Sequence, residues 1–167
     1  SLVARRLMSL DVVAVASPGF IAEHGPFDDA EQLAQVPCLR SHDPSGRPQS
    51  RWPLRDGGRL QVRGPLVTND RALLRRSAVA GLGVALLTRS TAAQELRSGE
   101  LAVVLPEVVG VKTGLHVVFA ERAFMPARVR VFIDLLTDWF AGRTSHGGET
   151  VHTRSSAVQV SPGSEVS

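Results

Sequence analysis

Short apolar runs alternate with amphipathic stretches along most of the chain. Residues 11–16 form an apolar run after one acidic residue, which is typical of a central parallel strand buried on both faces. Leu73, Leu74, Ser77 and Ala78 fall on one face of a helix, and residues 84–87 form a second continuous apolar run. Strands that alternate with helices predict an α/β fold.

Local signals mark where several of these elements begin and end. Ser17 precedes Pro18, a pair that serves as the N-cap and first residue of a helix, and Gly25-Pro26 ends that helix after His24. Gly81 follows the helix that contains Leu73 to Ala78, at the position where a left-handed helix stop is expected, and Gly83 allows two backbone segments to approach closely. These positions predict a helix, a tight turn and a buried strand in succession.

A β-hairpin is predicted in the middle of the chain. Residues 52–54 and 59–68 are joined across Asp56-Gly57-Gly58, a strong turn signal. Leu60 and Val62 alternate with polar residues, so the hairpin has one solvated face.

The other predicted elements are shorter or lie toward the C-terminus. A helix that begins at Pro126 carries an apolar stripe, and residues from 142 onward lack periodicity and are predicted to be a disordered tail. The apolar stripe of this last helix consists of Val129, Phe132, Ile133, Leu136 and Phe140. The remaining predictions are a helix at 28–34, a helix at 90–97 that ends at Gly99, and strands at 39–41, 101–105 and 115–120.

Composition favours a globular protein with no membrane span. The 167 residues are 43% hydrophobic, and no apolar run approaches the roughly 18 residues that cross a bilayer. The net charge is only +3, and the basic residues are isolated arginine pairs with Lys112 as the single lysine, so we do not expect this segment to bind DNA directly. Cys38, the only cysteine, lies in an apolar run and is predicted to be a buried small side chain. Its lack of an internal partner suits a cytoplasmic location.

The common catalytic and cofactor motifs do not occur in this sequence. There is neither a Gly-x-Ser-x-Gly elbow nor a Gly-x-x-x-x-Gly-Lys loop. Gly81-Leu82-Gly83 begins like a dinucleotide fingerprint, but Leu86 stands at the third glycine and a helix, not a strand, precedes it. The histidines show no metal-ligand spacing with Cys38 or paired carboxylates. We therefore expect no enzyme activity, no cofactor and no metal.

Several segments, in order, resemble the effector-binding domain of LysR-type transcriptional regulators. None is diagnostic alone, but their common order and spacing are specific. The similarity covers residues 1–140 and is carried by Ser1-Leu-Val-Ala-Arg-Arg-Leu7, residues 13–25, Leu33-Ala34 through Cys38-Leu39, Trp52 through Gly57, Thr68-Asn69-Asp70, Ala80-Gly-Leu-Gly-Val-Ala85, Gly99-Glu-Leu101 with Leu105-Pro106, and Val131-Phe-Ile-Asp-Leu-Leu136.

The resemblance implies a periplasmic-binding-protein-like type II fold of two α/β lobes with a small-molecule effector in the cleft between them. This chain would supply one complete lobe and half of the other. Residues 1–16 would be a remnant of the first lobe with the crossover strand, and 17–106 the second lobe. Residues 107–141 would be the return crossover and the closing strand and helix, and 142–167 the tail. The family's DNA-binding domain is absent from these residues.

Candidate effector-binding residues lie where strands end and helices begin. They are Ser17 after the first strand, Thr68 and Asn69 before the central helix, Ser41 with the adjacent His42, and Glu121 at the return crossover. For Thr68 and Asn69 two interpretations stay open, since both can cap the helix and both can contact a ligand.

The most concrete hypothesis is the effector-sensing fragment of a LysR-type regulator. Its expected partners are a small-molecule effector, for which a carboxylate is favoured, a second copy of the chain, and promoter DNA reached only through the absent N-terminal domain. No membrane partner is expected. The alternatives are a solute-binding lobe unrelated to transcription, a non-functional gene remnant, and an enzyme fragment that lacks its catalytic half.

Overall fold

The computed structural model describes residues 2–120 and 126–144. The chain divides into two compact units, one formed by Leu10–Thr113 and the other by Ser1–Ser9 with Gly114–Ser167. In chain order the elements are β1 (Leu2–Ala16), α1 (Pro18–His24), α2 (Ala30–Ala34), β2 (Cys38–Leu39), β3 (Arg51–Pro53), β4 (Arg59–Gln61), α3 (Arg71–Val79), β5 (Val84–Thr88), α4 (Ala93–Ser98), β6 (Ala102–Val104), β7 (Gly110–Ala120) and α5 (Ala127–Thr144).

The second part of β1 is the central strand of the unit 10–113. It lies between β5 and β6 in the order β2-β5-β1-β6. The prediction of a parallel strand was wrong, because β1 is antiparallel to both neighbours, with Val13 opposite Leu87 and Val15 opposite Val103. An apolar run indicates burial on both faces of a strand but not the direction of the neighbouring strands, so the sequence pattern could not distinguish a parallel from an antiparallel strand.

Helices cover both faces of this sheet. Alternate residues of β1 belong to different cores: Val13 and Val15 pack with Leu74 and Ala78 of α3, whereas Ala14 and Ala16 belong to the core of Trp52, Leu33 and Phe20. Because successive strand residues point to opposite faces, one strand contributes to both cores. The unit is therefore a three-layer structure, and its α/β class is the one that the alternating pattern predicted.

The turn from α3 to β5 confirms the prediction for Gly81. The amide of Leu82 donates to the Ser77 carbonyl at 3.0 Å, and the amide of Gly81 donates to the Ala78 carbonyl at 3.0 Å. Gly81 itself has φ +78°, so these bonds form the left-handed Schellman ending of a helix. A Cβ on Gly83 would collide with the Pro37 carbonyl, which explains the glycine there.

The hairpin of β3 and β4 forms across the predicted turn, with Trp52 opposite Leu60. Its second strand ends at Gln61, not at residue 68. The Val62 amide still donates to the Ser50 carbonyl at 2.9 Å, but from Arg63 onward the chain leaves the hairpin and runs beside β2. There, the Cys38 amide donates to the Arg63 carbonyl at 2.9 Å. Leu60 and Val62 are buried and Gln61 is exposed, so the predicted alternation is confirmed.

The other unit contains the start of β1, the end of β7, and α5. Arg5 of β1 forms an ion pair with Asp134 of α5 at 2.9 Å. Of the predicted apolar stripe on α5, Ile133 is buried, while Val129 and Phe132 are exposed. Residues 142–144 belong to α5, so the predicted tail does not begin at 142, and residues 145–167 lie outside the described part of the chain. No helix among the described residues is long and apolar enough to cross a membrane.

Candidate functional site

Two predicted candidate segments meet beside the end of β2. Beyond Leu39 the backbone stays extended, and Arg40 bridges to Val67 in a parallel arrangement. The Thr68 amide donates to the Arg40 carbonyl at 2.9 Å, and the His42 amide donates to Oδ1 of Asn69 at 3.0 Å. The structure thus brings Ser41, His42, Thr68 and Asn69 together, and we call these four residues the strand-end cluster.

The strand-end cluster lies at one end of the sheet. Strands β2 and β5 are parallel, so both run toward Thr88, which pairs with Val12 near the start of β1 in this unit. The Arg89 amide donates to the Asp11 carbonyl at 2.7 Å at the same end. In open α/β sheets, ligands bind beyond the carboxyl ends of strands, which is the position of this cluster relative to β2 and β5.

Polar atoms of the cluster remain available for a ligand. Because a backbone amide is a donor, the bond from His42 fixes the Asn69 oxygen inward and leaves Nδ2 as a donor with no partner among the described residues. Nδ1 of His42 is buried, and it too has no partner in the described part of the chain. Buried polar atoms usually have hydrogen-bond partners, so an orphan atom beside a candidate site favours a bound group.

Neither Thr68 nor Asn69 caps α3, which corrects the capping interpretation. The N-cap is Asp70, whose Oδ1 accepts from the amides of Ala72 at 2.9 Å and Leu73 at 3.1 Å. Oγ1 of Thr68 accepts from the Asp70 amide at 3.1 Å, so Thr68 orients the cap from outside the helix. Two of the free amides at the start of α3 are therefore occupied by a carboxylate of the chain itself.

The loop after His42 is held by Asp43. The pKa of Asp43 is lowered, chiefly by the Ser45 hydroxyl, whose Oγ donates to Oδ1 at 2.6 Å, and by the Arg47 amide, which donates to the same oxygen at 3.0 Å. Ser41 closes the loop, since its Oγ donates to Oε1 of Gln49 at 2.9 Å. The Asp-Pro-Ser-Gly sequence at 43–46 is a turn signature that indicates this role.

Ser17 lies at the opposite end of the sheet from the strand-end cluster. The register of β1 with β5 places Ser17 level with the start of β5, and the register of β2 with β5 places Ser41 level with its end. The two serines are therefore four residues apart along the direction of β5. At ~3.3 Å per residue this separation is about 13 Å. Oγ of Ser17 accepts from the Phe20 amide at 3.2 Å and the residue is buried, so its hydroxyl acts as the predicted cap of α1. Glu121 lies outside the described residues.

An acidic residue between two arginines occupies the same end of the sheet as the cluster. Oδ1 of Asp11 contacts Nη2 of Arg55 at 3.0 Å, and Oδ2 contacts Nε of Arg89 at 3.0 Å. Burial acts to raise the pKa of Asp11, but the hydrogen bonds from Arg89 and Arg55 outweigh it and hold the pKa below its ordinary value. The three residues are 44 and 78 positions apart in sequence, so no local signal could have revealed the network.

Cys38 is fully buried in the core, as predicted. Burial raises the pKa of its thiol to about 12, although the charge of Arg40 acts in the opposite direction. Among the described residues no group of three or more His, Cys, Asp or Glu side chains is placed to hold a metal ion.

Comparison with known proteins identifies a family over most of the chain. The family model described as the LysR substrate binding domain matches residues 1–141. A curated relative, the HTH-type transcriptional regulator DmlR of Escherichia coli (strain K12), is 31% identical over 148 residues. That alignment covers 84% of this chain and 46% of DmlR, so the chain spans about half the length of this relative.

Solved structures show the same relationship. The regulatory domain of AphB in Vibrio vulnificus has a TM-score of 0.70 at 26% identity, over 83% of this chain and 70% of that one. The full-length structure of the Vibrio cholerae virulence activator AphB, a member of the LTTR protein family, has a TM-score of 0.69 at 25% identity, over 84% of this chain and 48% of that one. The fold is therefore that of the regulatory domains of these proteins, as predicted.

Proposed function

The chain belongs to the LysR substrate binding domain family, and we propose that it is the effector-sensing part of a LysR-type transcriptional regulator, with its effector bound at the strand-end cluster. The observation that carries the proposal is that two hydrogen-bonded residues at the carboxyl end of β2 each keep an unpaired polar atom, Nδ2 of Asn69 and Nδ1 of His42. A small number of such polar groups in a binding site can orient a small molecule and provide specificity.

Hydrogen-bonding side chains, not helix amides, would recognise the effector. Since Asp70 occupies the start of α3, an effector carboxylate would have to bind to Nδ2 of Asn69 and the hydroxyl of Thr68. We keep the carboxylate as the proposed effector class on the strength of these donors alone. The Asp70 carboxylate would repel an effector carboxylate, so the effector class is the part of the proposal that an experiment can test most directly.

The relatives support a proposal for the wider role. DmlR is named as an HTH-type transcriptional regulator, and the chain spans about half its length. We propose that promoter DNA is bound by residues outside the region of family similarity, in a cytoplasmic homo-oligomer with no enzyme activity. Effector binding would shift the population of conformations and so change the contact with DNA.

The substitution Asn69→Asp removes the Nδ2 donor of the strand-end cluster without removing the hydrogen bond that Asn69 accepts from His42. Asn69→Asp keeps the oxygen that accepts from the His42 amide but replaces the Nδ2 donor with an acceptor. The added charge lies near the start of α3, where a helix tolerates negative charge. Gln94→Glu makes the same amide-to-acid change on the exposed face of α4 and serves as the control.

The experiment is a thermal-shift screen of the chain against small carboxylates and their neutral amides. A compound that raises the melting temperature should bind Asn69→Asp at least tenfold more weakly, while Gln94→Glu should match the original chain. Equal affinity for both variants would remove the strand-end cluster as the site. A bound compound that leaves a promoter reporter unchanged would favour a solute-binding lobe over a regulator.

A further inference from the structure

The solvated face of the β3–β4 hairpin is basic. In the register of this hairpin, Arg51 lies opposite Gln61 and Pro53 opposite Arg59, whereas the intervening pair, Trp52 and Leu60, is buried. Because strand residues alternate between faces, the side chains of Arg51 and Arg59 share the side that faces away from the core. This arrangement places two guanidinium groups on one small surface.

The start of β7 completes this surface as a groove. The hairpin is tied to the chain before β7 by a bridge between Leu54 and Val109 and by a 2.9 Å bond from the Arg55 amide to the Val108 carbonyl. Val111 and Lys112 then form the facing wall of an open groove of about 670 Å³. Pro53, Leu54 and Val111 supply apolar surface, and Lys112 adds a third cation to Arg51 and Arg59. We call this the basic groove.

The charges of the basic groove are only partly compensated. Arg55 also lines it, but its guanidinium is paired with Asp11 at 3.0 Å and donates Nε to the Pro106 carbonyl at 2.6 Å. Arg51, Arg59 and Lys112 form no ion pair with a described carboxylate. Asp56, in the adjacent turn, uses its Oδ1 to accept from the Gly58 amide at 2.8 Å. Cations along one concave surface raise the local concentration of anions.

We propose that the basic groove binds a small organic anion that carries at least two negative charges on an apolar body, such as an aromatic dicarboxylate or an aryl phosphate. Arginine guanidinium groups bind carboxylate and phosphate oxygens in a bidentate manner, which suits both classes. The volume lies within the usual range for small-molecule sites, and the apolar surface would contact the body of the ligand. The proposal is independent of the strand-end cluster and does not rest on the proposed function.

The probes are phthalate and phenyl phosphate, titrated calorimetrically into the 167-residue chain. Three control compounds each lack one property of the probes. Benzoate carries one negative charge fewer than phthalate, inorganic phosphate lacks the apolar body, and dimethyl phthalate carries no charge. We expect both probes to bind at least tenfold more tightly than each of these three compounds. Equal affinity for inorganic phosphate and phthalate would overturn the proposal, because it would show that the apolar surface contributes nothing.

Matched variants locate the binding. Arg51→Gln with Arg59→Gln should weaken phthalate binding at least tenfold, and Lys112→Gln at least threefold. The control, Arg97→Gln with Arg128→Gln, removes the same net charge from exposed positions outside the groove and should leave binding unchanged.

A loss of binding shared by the control pair would overturn the assignment to the groove, as would full binding by the groove variants. Near-ultraviolet circular dichroism of the buried Trp52, measured in a Trp139→Phe background, checks that the hairpin still folds in each variant. The effector experiment with Asn69→Asp is unaffected by either outcome, since Asn69 does not line the groove. Ser41 is left unchanged, because it holds Gln49, which lines the groove, as well as belonging to the strand-end cluster.

Discussion

Replacement of Asp11 by asparagine should destabilise the unit 10–113 at neutral pH and have much less effect in acid. The carboxylate contacts Arg55 and Arg89 at 3.0 Å each, and its own side chain is 24% exposed. The Arg89 side chain is 49% exposed, so solvent screening limits that pair to about 0.5 kcal/mol. The Arg55 side chain is 21% exposed, and its charge-assisted bond should contribute ~1–1.5 kcal/mol. We therefore expect Asp11→Asn to lower the free energy of unfolding by about 1–2 kcal/mol, since asparagine keeps one acceptor oxygen.

The pH dependence has a definite sign. The arginine hydrogen bonds hold the pKa of Asp11 below its ordinary value of 3.8 in the folded chain. A depressed carboxyl pKa stabilises the fold fully above the pKa of the unfolded chain, and this contribution is lost as the pH falls through the folded pKa. The difference between the original chain and Asp11→Asn should thus be constant above about pH 5 and shrink steadily below pH 4.

Urea unfolding, followed by tryptophan fluorescence, measures this difference. Trp52 is fully buried in the unit 10–113. A Trp139→Phe background makes it the sole reporter. Arg55→Gln should cost more than Arg89→Gln, because Arg55 also donates to the Pro106 carbonyl. Asp28→Asn, at an exposed position with no ion pair among the described residues, is the control. A pH-independent difference for Asp11→Asn, or a larger loss for Arg89→Gln, would refute the reasoning.

Two further predictions concern the thiol and the cap of α3. Burial raises the pKa of the Cys38 thiol to about 12, so Cys38 should react with a thiol reagent at pH 8 only at the rate at which the chain opens. Its reactivity should rise in parallel with urea unfolding, and rapid reaction without denaturant would contradict the burial. Asp70→Ala removes the acceptor for the amides of Ala72 and Leu73 and should lower stability by about 1 kcal/mol in thermal unfolding, whereas Asp70→Asn, which keeps an acceptor, should lose much less; equal losses would show that the cap is not the cause.

Local features of the fold were predictable because the interactions that form them lie within a few residues. Ser17 caps α1, Gly81 ends α3 and the Asp56-Gly57-Gly58 turn joins β3 to β4, each through bonds between near neighbours. The resemblance to LysR-type regulators was likewise carried by such segments in order, and the family match confirms it.

The strand-end cluster was predictable only in part. The sequence indicated Ser41, Thr68 and Asn69 because strands end and helices begin there, but not which of them would meet. His42 and Asn69 are 27 positions apart, and the bond between them exists only because Arg40 and Val67 run side by side. Ser17 was chosen by the same rule and lies at the other end of the sheet, since β1 runs antiparallel to β5.

The sequence by itself determined the types of element, most of their ends and the family, because periodicity, caps and turns depend on short-range backbone geometry. Only the tertiary structure decided the direction of β1, the pairing of Asp11 with two distant arginines and the basic face shared by Arg51, Arg59 and Lys112. These features depend on which strands become neighbours, and that is set by the burial of two cores at once, on opposite faces of one sheet. An apolar run predicts that its own residues are buried, but which residues pack against it depends on the fold of the whole chain.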